Sequence, residues 1–174
     1  GWIHDGSSLA VGTDSRQVQI WNVESQQRVR TLLGSEEGRI GAVAWNRHVL
    51  STGSRSGSVQ SHDVRVARPL LTSVRHHTGE VCGLAWSWDG RHLASGSNDN
   101  LVQVYDHRSI TSSDSSSLPP RPLYTFSEHT AAVKAVAWCP WQAGVLATGG
   151  GSADRCVRLW SVLGAGEAAM ATVD

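Results

Sequence analysis

One short sequence pattern occurs four times along the chain, and this repeat limits the possible folds more than any other feature. Residues 2–12 (WIHDGSSLAVG) match residues 86–96 (WSWDGRHLASG) without a gap, and looser copies cover 45–53 and 138–149. The tryptophans that open the copies are 43, 41 and 52 residues apart. A period of this length is too short for a separate domain. It is typical of an architecture in which small units stack and bury one another's apolar faces.

Each copy contains four strand signals in the same order, except that the first copy begins at the last residues of its first strand. The first signal is apolar throughout, which predicts a strand covered on both faces; it occupies 40–45, 81–86 and 133–138. The second ends at a glycine and follows a turn such as Asp89-Gly90. The third resembles Val-Gln-Ile-Trp, and the fourth is more polar, as expected of an outer edge. The pattern predicts an all-β chain built from WD-type β-propeller blades.

The predicted repeats form one partial propeller domain. They span about 1–34, 35–76, 77–127 and 128–174. A Ser-rich insertion at 107–121, which contains Pro119-Pro120, is predicted to be a mobile loop at the outer edge of the third blade. Propellers with this period usually have more than four blades, and an open arc would leave apolar blade faces uncovered. We therefore expect the chain to be part of a larger ring.

Composition excludes several classes of function. Lys and Arg number 15 and Asp and Glu number 15, so the chain lacks the positive charge of a general nucleic-acid binder. No apolar run is long enough to cross a bilayer, so no membrane partner is expected. Neither the eight histidines nor the cysteines at 82, 139 and 156 have metal-ligand spacing. No metal and no cofactor is predicted.

Histidine, hydroxyl and aspartate residues recur together in two repeats. The sets are His77, Ser95, Asp99 and Tyr105 in the third repeat, and His129, Thr148, Asp154 and Trp160 in the fourth. Such residues also form hydrolytic triads, but a catalytic site is not normally duplicated from blade to blade. The recurrence instead favours a buried hydrogen-bond network that fixes the geometry of each blade. The chain is predicted not to be an enzyme and to have no catalytic residue.

The first two repeats have lost this network. Ser15 and Ser56 occupy the aspartate positions, Glu36 occupies a histidine position, and His62 replaces the aromatic residue of the third strand. These two blades are therefore expected to depend more on packing.

Four longer strings are more specific than the generic repeat. They are 89–100 (DGRHLASGSNDN), 132–142 (AVKAVAWCPWQ), 146–151 with 154–155, and 54–57 with 63–65. Together they resemble the fizzy family, the WD-repeat co-activators of the anaphase-promoting complex. The string at 139–142 (CPWQ) and Gly90-Arg91-His92 are more similar to the mitotic, cell-division-cycle-twenty branch than to the fizzy-related branch. The resemblance covers the chain apart from 107–121 and the last ten residues.

The resemblance implies a seven-blade propeller that acts in the nucleus and cytoplasm, of which this chain corresponds to blades two to five. Such a propeller binds short degradation motifs of substrates and presents them to a ubiquitin ligase in cell-cycle control. Its implied partners are those motifs, the ligase complex and checkpoint proteins. The alternative is a diverged or truncated WD-repeat scaffold with no role in activating a ligase.

The resemblance also assigns candidate binding residues. Asn98, Asn100 and Ser152 match the pocket for the KEN motif, where the family more often has Thr at the last position. Arg30 and His48 match a second peptide groove, where His48 replaces the usual Tyr. The groove for the destruction-box motif lies outside the matching blades.

Overall fold

Fifteen β-strands and one short helix form the part of the chain that the computed structural model describes, residues 1–33, 38–111, 120–163 and 169–173. The first sheet contains β1 (Ser8–Gly12), β2 (Gln17–Asn22) and β3 (Gln27–Leu33). The second contains β4 (Ile40–Asn46), β5 (Val49–Ser54), β6 (Ser58–Asp63) and β7 (Leu70–Arg75).

The other two sheets have four strands each. The third contains β8 (Val81–Trp86), β9 (His92–Ser97), β10 (Val102–Asp106) and β11 (Tyr124–Phe126), with α1 (His107–Thr111) after β10. The fourth contains β12 (Val133–Trp138), β13 (Val145–Gly150), β14 (Val157–Ser161) and β15 (Ala171–Val173). All pairings are antiparallel between strands adjacent in sequence, so each sheet is a meander. This is the predicted WD-type blade.

Glycines at the end of each second strand set the distance between neighbouring blades. A Cβ atom built on Gly53 would lie 2.4 Å from Val81 Cγ1, and one on Gly96 would lie 2.6 Å from the Val133 carbonyl oxygen. Gly12 is equally close to the next blade, since its Cβ would lie 2.8 Å from Ile40 Cγ2. In the first three copies of the repeat, the final glycine is therefore needed for close approach of the next blade's first strand.

The apolar core lies within and between the sheets. Between the third and fourth blades, the buried rings of Phe126 and Trp160 stack with their centroids 4.2 Å apart. In the third, Val81, Leu93 and Tyr105 are all completely buried. Because β8 contacts both β4 and β12, the third blade is covered on both sides. This confirms the prediction of stacked blades from the apolar first strands.

Two sequence-based expectations differ from the structure. The first strand of the fourth blade, β12, was predicted to be covered on both faces, but Lys134, Ala135 and Ala137 are exposed. Among the described residues, the only neighbouring blade that β12 packs against is the third. The insertion at 107–121 does not begin as a loop. Asp106 Oδ1 accepts a 2.7 Å hydrogen bond from Arg108 N and starts α1, while the buried Ile110 docks the helix. Residues 112–119 lie outside the described part.

Candidate functional site

A buried hydrogen-bond chain crosses the fourth blade. The Trp160 indole donates to Thr148 Oγ1 at 2.7 Å, and the same hydroxyl lies 2.7 Å from His129 Nε2. His129 Nδ1 lies 2.6 Å from Asp154 Oδ2. Because the Asp154 carboxylate can only accept, Nδ1–H donates to it, and in the neutral ring Nε2 accepts the proton of Thr148 Oγ1. The chain therefore specifies one histidine tautomer.

Electrostatics hold the carboxylate of Asp154 ionised. Burial alone would raise the pKa of Asp154, but hydrogen bonds from His129, Thr130 and Arg158 outweigh this effect and lower it below the ordinary aspartate range. Arg158 Nη1 lies 2.8 Å from Asp154 Oδ2. The network thus ends in a paired charge.

The third blade has a shorter version of this chain. His77 Nε2 lies 2.8 Å from Ser95 Oγ, and His77 Nδ1 lies 3.1 Å from Asp99 Oδ2. Tyr105 does not continue the chain as expected, because its hydroxyl donates to Gln103 Oε1 at 2.6 Å. A phenol carries its donor at the end of the ring, whereas an indole carries it at the side. The Tyr105 hydroxyl therefore lies beyond Ser95, the residue that the indole N–H of a tryptophan at this position would contact.

Neither network can serve as a hydrolytic site in this structure. Ser95 is completely buried and Thr148 is only 1% exposed, so no substrate carbonyl can approach their hydroxyls. Both hydroxyls are also engaged within the blade, which is what a structural network requires.

The first two blades replace the network with small hydroxyl pairs. Ser15 contacts Thr13 at 3.1 Å, and Ser54 contacts Ser56 and Ser58 at 2.8 and 2.7 Å. His62 is 2% exposed, and its Nδ1 has no hydrogen-bond partner among the described residues. Burial is the main reason that the pKa of His62 falls to about 4, so this ring is neutral. Glu36 lies outside the described residues.

Asn98 and Asn100 flank Asp99 in the turn between β9 and β10. Asp99 accepts hydrogen bonds from the Thr78 and Leu101 backbone N–H groups at 2.8 and 3.1 Å, which turns its carboxylate inward. Asn98 is exposed and accepts from Cys82 Sγ at 3.1 Å. Asn100 adopts a φ of +68°, a conformation that asparagine tolerates better than most residues. Ser152 is exposed in the equivalent turn of the fourth blade.

Asn98 lines a cavity of about 450 Å³ that sequence reasoning did not identify. Arg39 and Glu80 form a bidentate ion pair across it, at 2.7 and 3.1 Å, and Lys134 also lines it. These three charges lie at the start of the first strand in consecutive blades. The opposite charges of Arg39 and Glu80, each directly before the first strand of its blade, were the signal in the sequence; Lys134 is the second residue of the corresponding strand in the fourth blade.

Arg30 and His48 both contact the segment after β6. Arg30 donates to the carbonyl oxygens of Val64, Val66 and Ala67, so its guanidinium ties the first blade to the second. The His48 carbonyl accepts from Val64 N at 3.1 Å, and its side chain is 40% exposed. Arg30 and His48 therefore both contact Val64, but the Arg30 guanidinium already donates to backbone carbonyls.

Comparisons with known proteins identify the family. The WD domain, G-beta repeat, matches residues 68–106 and 120–161. The cell division cycle 20.5 protein of Arabidopsis thaliana, a cofactor of the APC complex, is 49% identical over 92% of this chain. The WD repeat-containing protein slp1 of Schizosaccharomyces pombe is 51% identical over 92% of it. The chain belongs to the fizzy family.

Within the fizzy family, the mitotic branch is more similar to this chain. Fizzy-related 3 of Arabidopsis thaliana is 44% identical over 92% of the chain, below the identities of 49% and 51% to the cell-division-cycle relatives. A crystal structure of the mitotic checkpoint complex contains a chain that matches all of this one, with a TM-score of 0.89 and 49% identity. The match covers 49% of that chain, and this chain spans 35% and 30% of the first two relatives' lengths.

In the described residues, no set of three or more His, Cys, Asp and Glu side chains is placed to hold a metal ion. The described helix is too short to cross a membrane.

Proposed function

We propose that this chain is part of a substrate-recognition propeller of an anaphase-promoting complex co-activator. In this role it binds short degradation motifs and directs the ubiquitination of the proteins that carry them, in cell-cycle control. The observation that carries the proposal is the turn at 98–100. There Asp99 is held inward by the blade network, while the exposed Asn98 lines an open cavity of mixed charge.

The chemistry of this cavity suits a KEN motif. A peptide with Lys, Glu and Asn side chains presents one positive charge, one negative charge and one amide. Lys134 offers a positive charge, and Asn98 offers an amide that can both donate and accept. Glu80 offers a negative charge that it already shares with Arg39, so a peptide lysine would join an existing ion pair. We include Asn100, from the same turn as Asn98, and Ser152, which is exposed in the equivalent turn of the fourth blade, as further polar contacts for the peptide.

The proposed molecule acts as a scaffold and carries out no chemistry itself. The buried positions of Ser95 and Thr148 support this, since the hydroxyls that resemble nucleophiles are inaccessible. Its proposed partners are substrate degradation motifs, the ubiquitin ligase complex and checkpoint proteins, since the relatives include a cofactor of the APC complex and the matching crystal structure is of the mitotic checkpoint complex. We place its action in the nucleus and cytoplasm.

A reconstituted ubiquitination reaction tests the proposal. The complete propeller that carries this chain is compared with its Asn98→Ala variant, on a substrate with a KEN motif and on the same substrate with that motif replaced by alanines. We expect the variant to lose most modification of the intact substrate only. Equal modification by both proteins would reject the site.

One observation favours the alternative, a scaffold that has lost part of its peptide binding. The Arg30 guanidinium donates to three backbone carbonyls, so it is not free for the second groove. Failure of the propeller to stimulate ubiquitination of any KEN substrate, with normal folding, would establish this alternative.

A further inference from the structure

A second open groove lies at the opposite end of the sheets from Asn98. It has a volume of about 690 Å³ and lies among the β4–β5 turn, the β8–β9 turn and the start of α1. We refer to it as the basal groove; the lining residues that matter here are Arg47, His48, Arg91, His107, Arg108 and Leu163. It differs from the cavity at Asn98, and Arg30 does not line it.

The basal groove contains three arginines whose charge is poorly neutralised. Arg91 is exposed, and its contact with Asp89 is long, at 3.7 Å. Among the described residues, neither Arg47 nor Arg108 forms an ion pair, and both are exposed. Guanidinium groups of this kind are strong donors for carboxylates and phosphates.

The two carboxylates that line the groove, Asp89 and Asp106, each accept hydrogen bonds within their own turn. Asp89 Oδ1 accepts from Ser87 Oγ at 2.6 Å and from Arg91 N at 3.0 Å. Asp106 Oδ1 accepts from Arg108 N at 2.7 Å. Each acid therefore uses Oδ1 within its own turn, and among the described residues neither carboxylate forms an ion pair with Arg47 or Arg108.

The pKa of His107 reflects the burial and the charges of the groove. Burial has the largest effect on its pKa and lowers it, and Asp106 acts in the opposite direction. Arg47 and His48, in the β4–β5 turn of the second blade, lower the pKa of His107 further, so this turn faces the ring from across the groove. An anion bound among them would relieve that repulsion.

We propose that the basal groove binds an acidic segment of a partner protein, with its carboxylates or phosphates on Arg47, Arg91 and Arg108. Leu163 is 68% exposed within the groove and Trp88 is 64% exposed on the β8–β9 turn, so both can contact apolar residues of that segment. A long nucleic acid is a poorer fit, since the whole chain has 15 basic and 15 acidic residues. This site goes beyond the proposed function and does not depend on it.

The test uses the complete propeller that carries this chain and a fluorescein-labelled peptide of six glutamates flanked by glycines. Fluorescence polarisation at low salt should detect the glutamate peptide and not its glutamine counterpart. The double variant Arg91→Gln/Arg108→Gln should bind at least about 10-fold more weakly, because two charge-assisted contacts are lost. Arg47 is left unchanged because its φ of +55° makes its turn sensitive to substitution.

Arg28→Gln/Arg75→Gln is the matched control, since it removes the same charge from exposed positions on β3 and β7. It should retain wild-type affinity. Equal losses in the two double variants, or equal binding of the two peptides, would overturn the proposal. So would tighter binding of a single-stranded oligonucleotide that is abolished by Arg91→Gln/Arg108→Gln.

The unmodified propeller provides a second measurement. The His107 ring resonances should shift when the glutamate peptide binds, and the His62 resonances should not. Binding without any change at His107 would also overturn the proposal.

Discussion

The Trp160 indole donates a 2.7 Å hydrogen bond to the Thr148 hydroxyl in the interior of the fourth blade. Both side chains are at most 1% exposed, so each satisfies a group that water cannot reach. The same hydroxyl lies 2.7 Å from His129 Nε2, so the pair is joined to the His129–Asp154 end of the network. The fourth blade is thus held by packing and by a polar chain together.

Replacing the tryptophan of this pair should destabilise the fold strongly. Trp160→Ala removes the stack on Phe126 and leaves Thr148 without its donor, so we expect a loss of about 3–5 kcal/mol in the free energy of unfolding. Trp88→Ala is the control. Its side chain is 64% exposed, and we expect a change within about 0.5 kcal/mol. Urea denaturation measures both, and equal losses would show that the core has been misassigned.

The spacing of the blades gives a second prediction. Gly53→Ala places a Cβ atom 2.4 Å from Val81 Cγ1, so the blades must move apart. We expect a cost of about 1–3 kcal/mol, as for other overpacked cores.

Gly149→Ala is the matched control for Gly53→Ala. Gly149 has the same place in the fourth blade, but the nearest atom to its added Cβ is Ala135 Cβ at 3.2 Å. Its thermal melting temperature should stay close to that of the wild-type protein. A larger loss at Gly149 than at Gly53 would contradict the role of these glycines in blade spacing.

The buried His62 makes stability depend on pH in a defined range. Its folded-state pKa is lowered from 6.5 to about 4, so the unfolded chain binds more protons between these values. This contribution to stability is therefore complete above about pH 6.5 and is lost as the pH falls toward 4.

His62→Gln should flatten this part of the stability profile. Glutamine keeps a polar side chain at the position but does not titrate. His77 and His107 also have lowered pKa values and contribute with the same sign, so only the difference between variant and wild type isolates His62. Guanidinium denaturation at several pH values measures that difference. Parallel profiles would show that His62 is not buried as a neutral ring.

The sequence was sufficient to predict the blades but not every contact between them. Strand positions can be predicted because apolar residues that become buried recur with a fixed period. The first strands of three blades begin at Ile40, Val81 and Val133, where the pattern predicts. The ion pair of Arg39 with Glu80 was missed because it joins residues 41 positions apart through the rotation between blades. Such a contact depends on the packing angle, which no local pattern encodes.

Two smaller differences have local causes. Helix α1 was missed because its short sequence is weakly helical by itself. It is held by the Asp106 cap and by Ile110, whose carbonyl accepts from Thr72 of the second blade at 2.6 Å. The bond of Tyr105 to Gln103 was missed because the repeat pattern treats tyrosine and tryptophan as equivalent, although their donors point in different directions.

Binding of a KEN peptide tests the central claim most directly. Calorimetry would compare the complete propeller that carries this chain with its Asn98→Ala and Asn100→Gly variants. Glycine is used at 100 because alanine would be strained at the φ of +68°. Each variant should weaken binding by about 0.5–1.5 kcal/mol, or up to about 3 kcal/mol where the lost partner is charged, with an unchanged melting temperature. Asp99→Ala should instead lower the melting temperature, because it leaves His77 without its carboxylate. Unchanged peptide affinity in both asparagine variants would contradict the account.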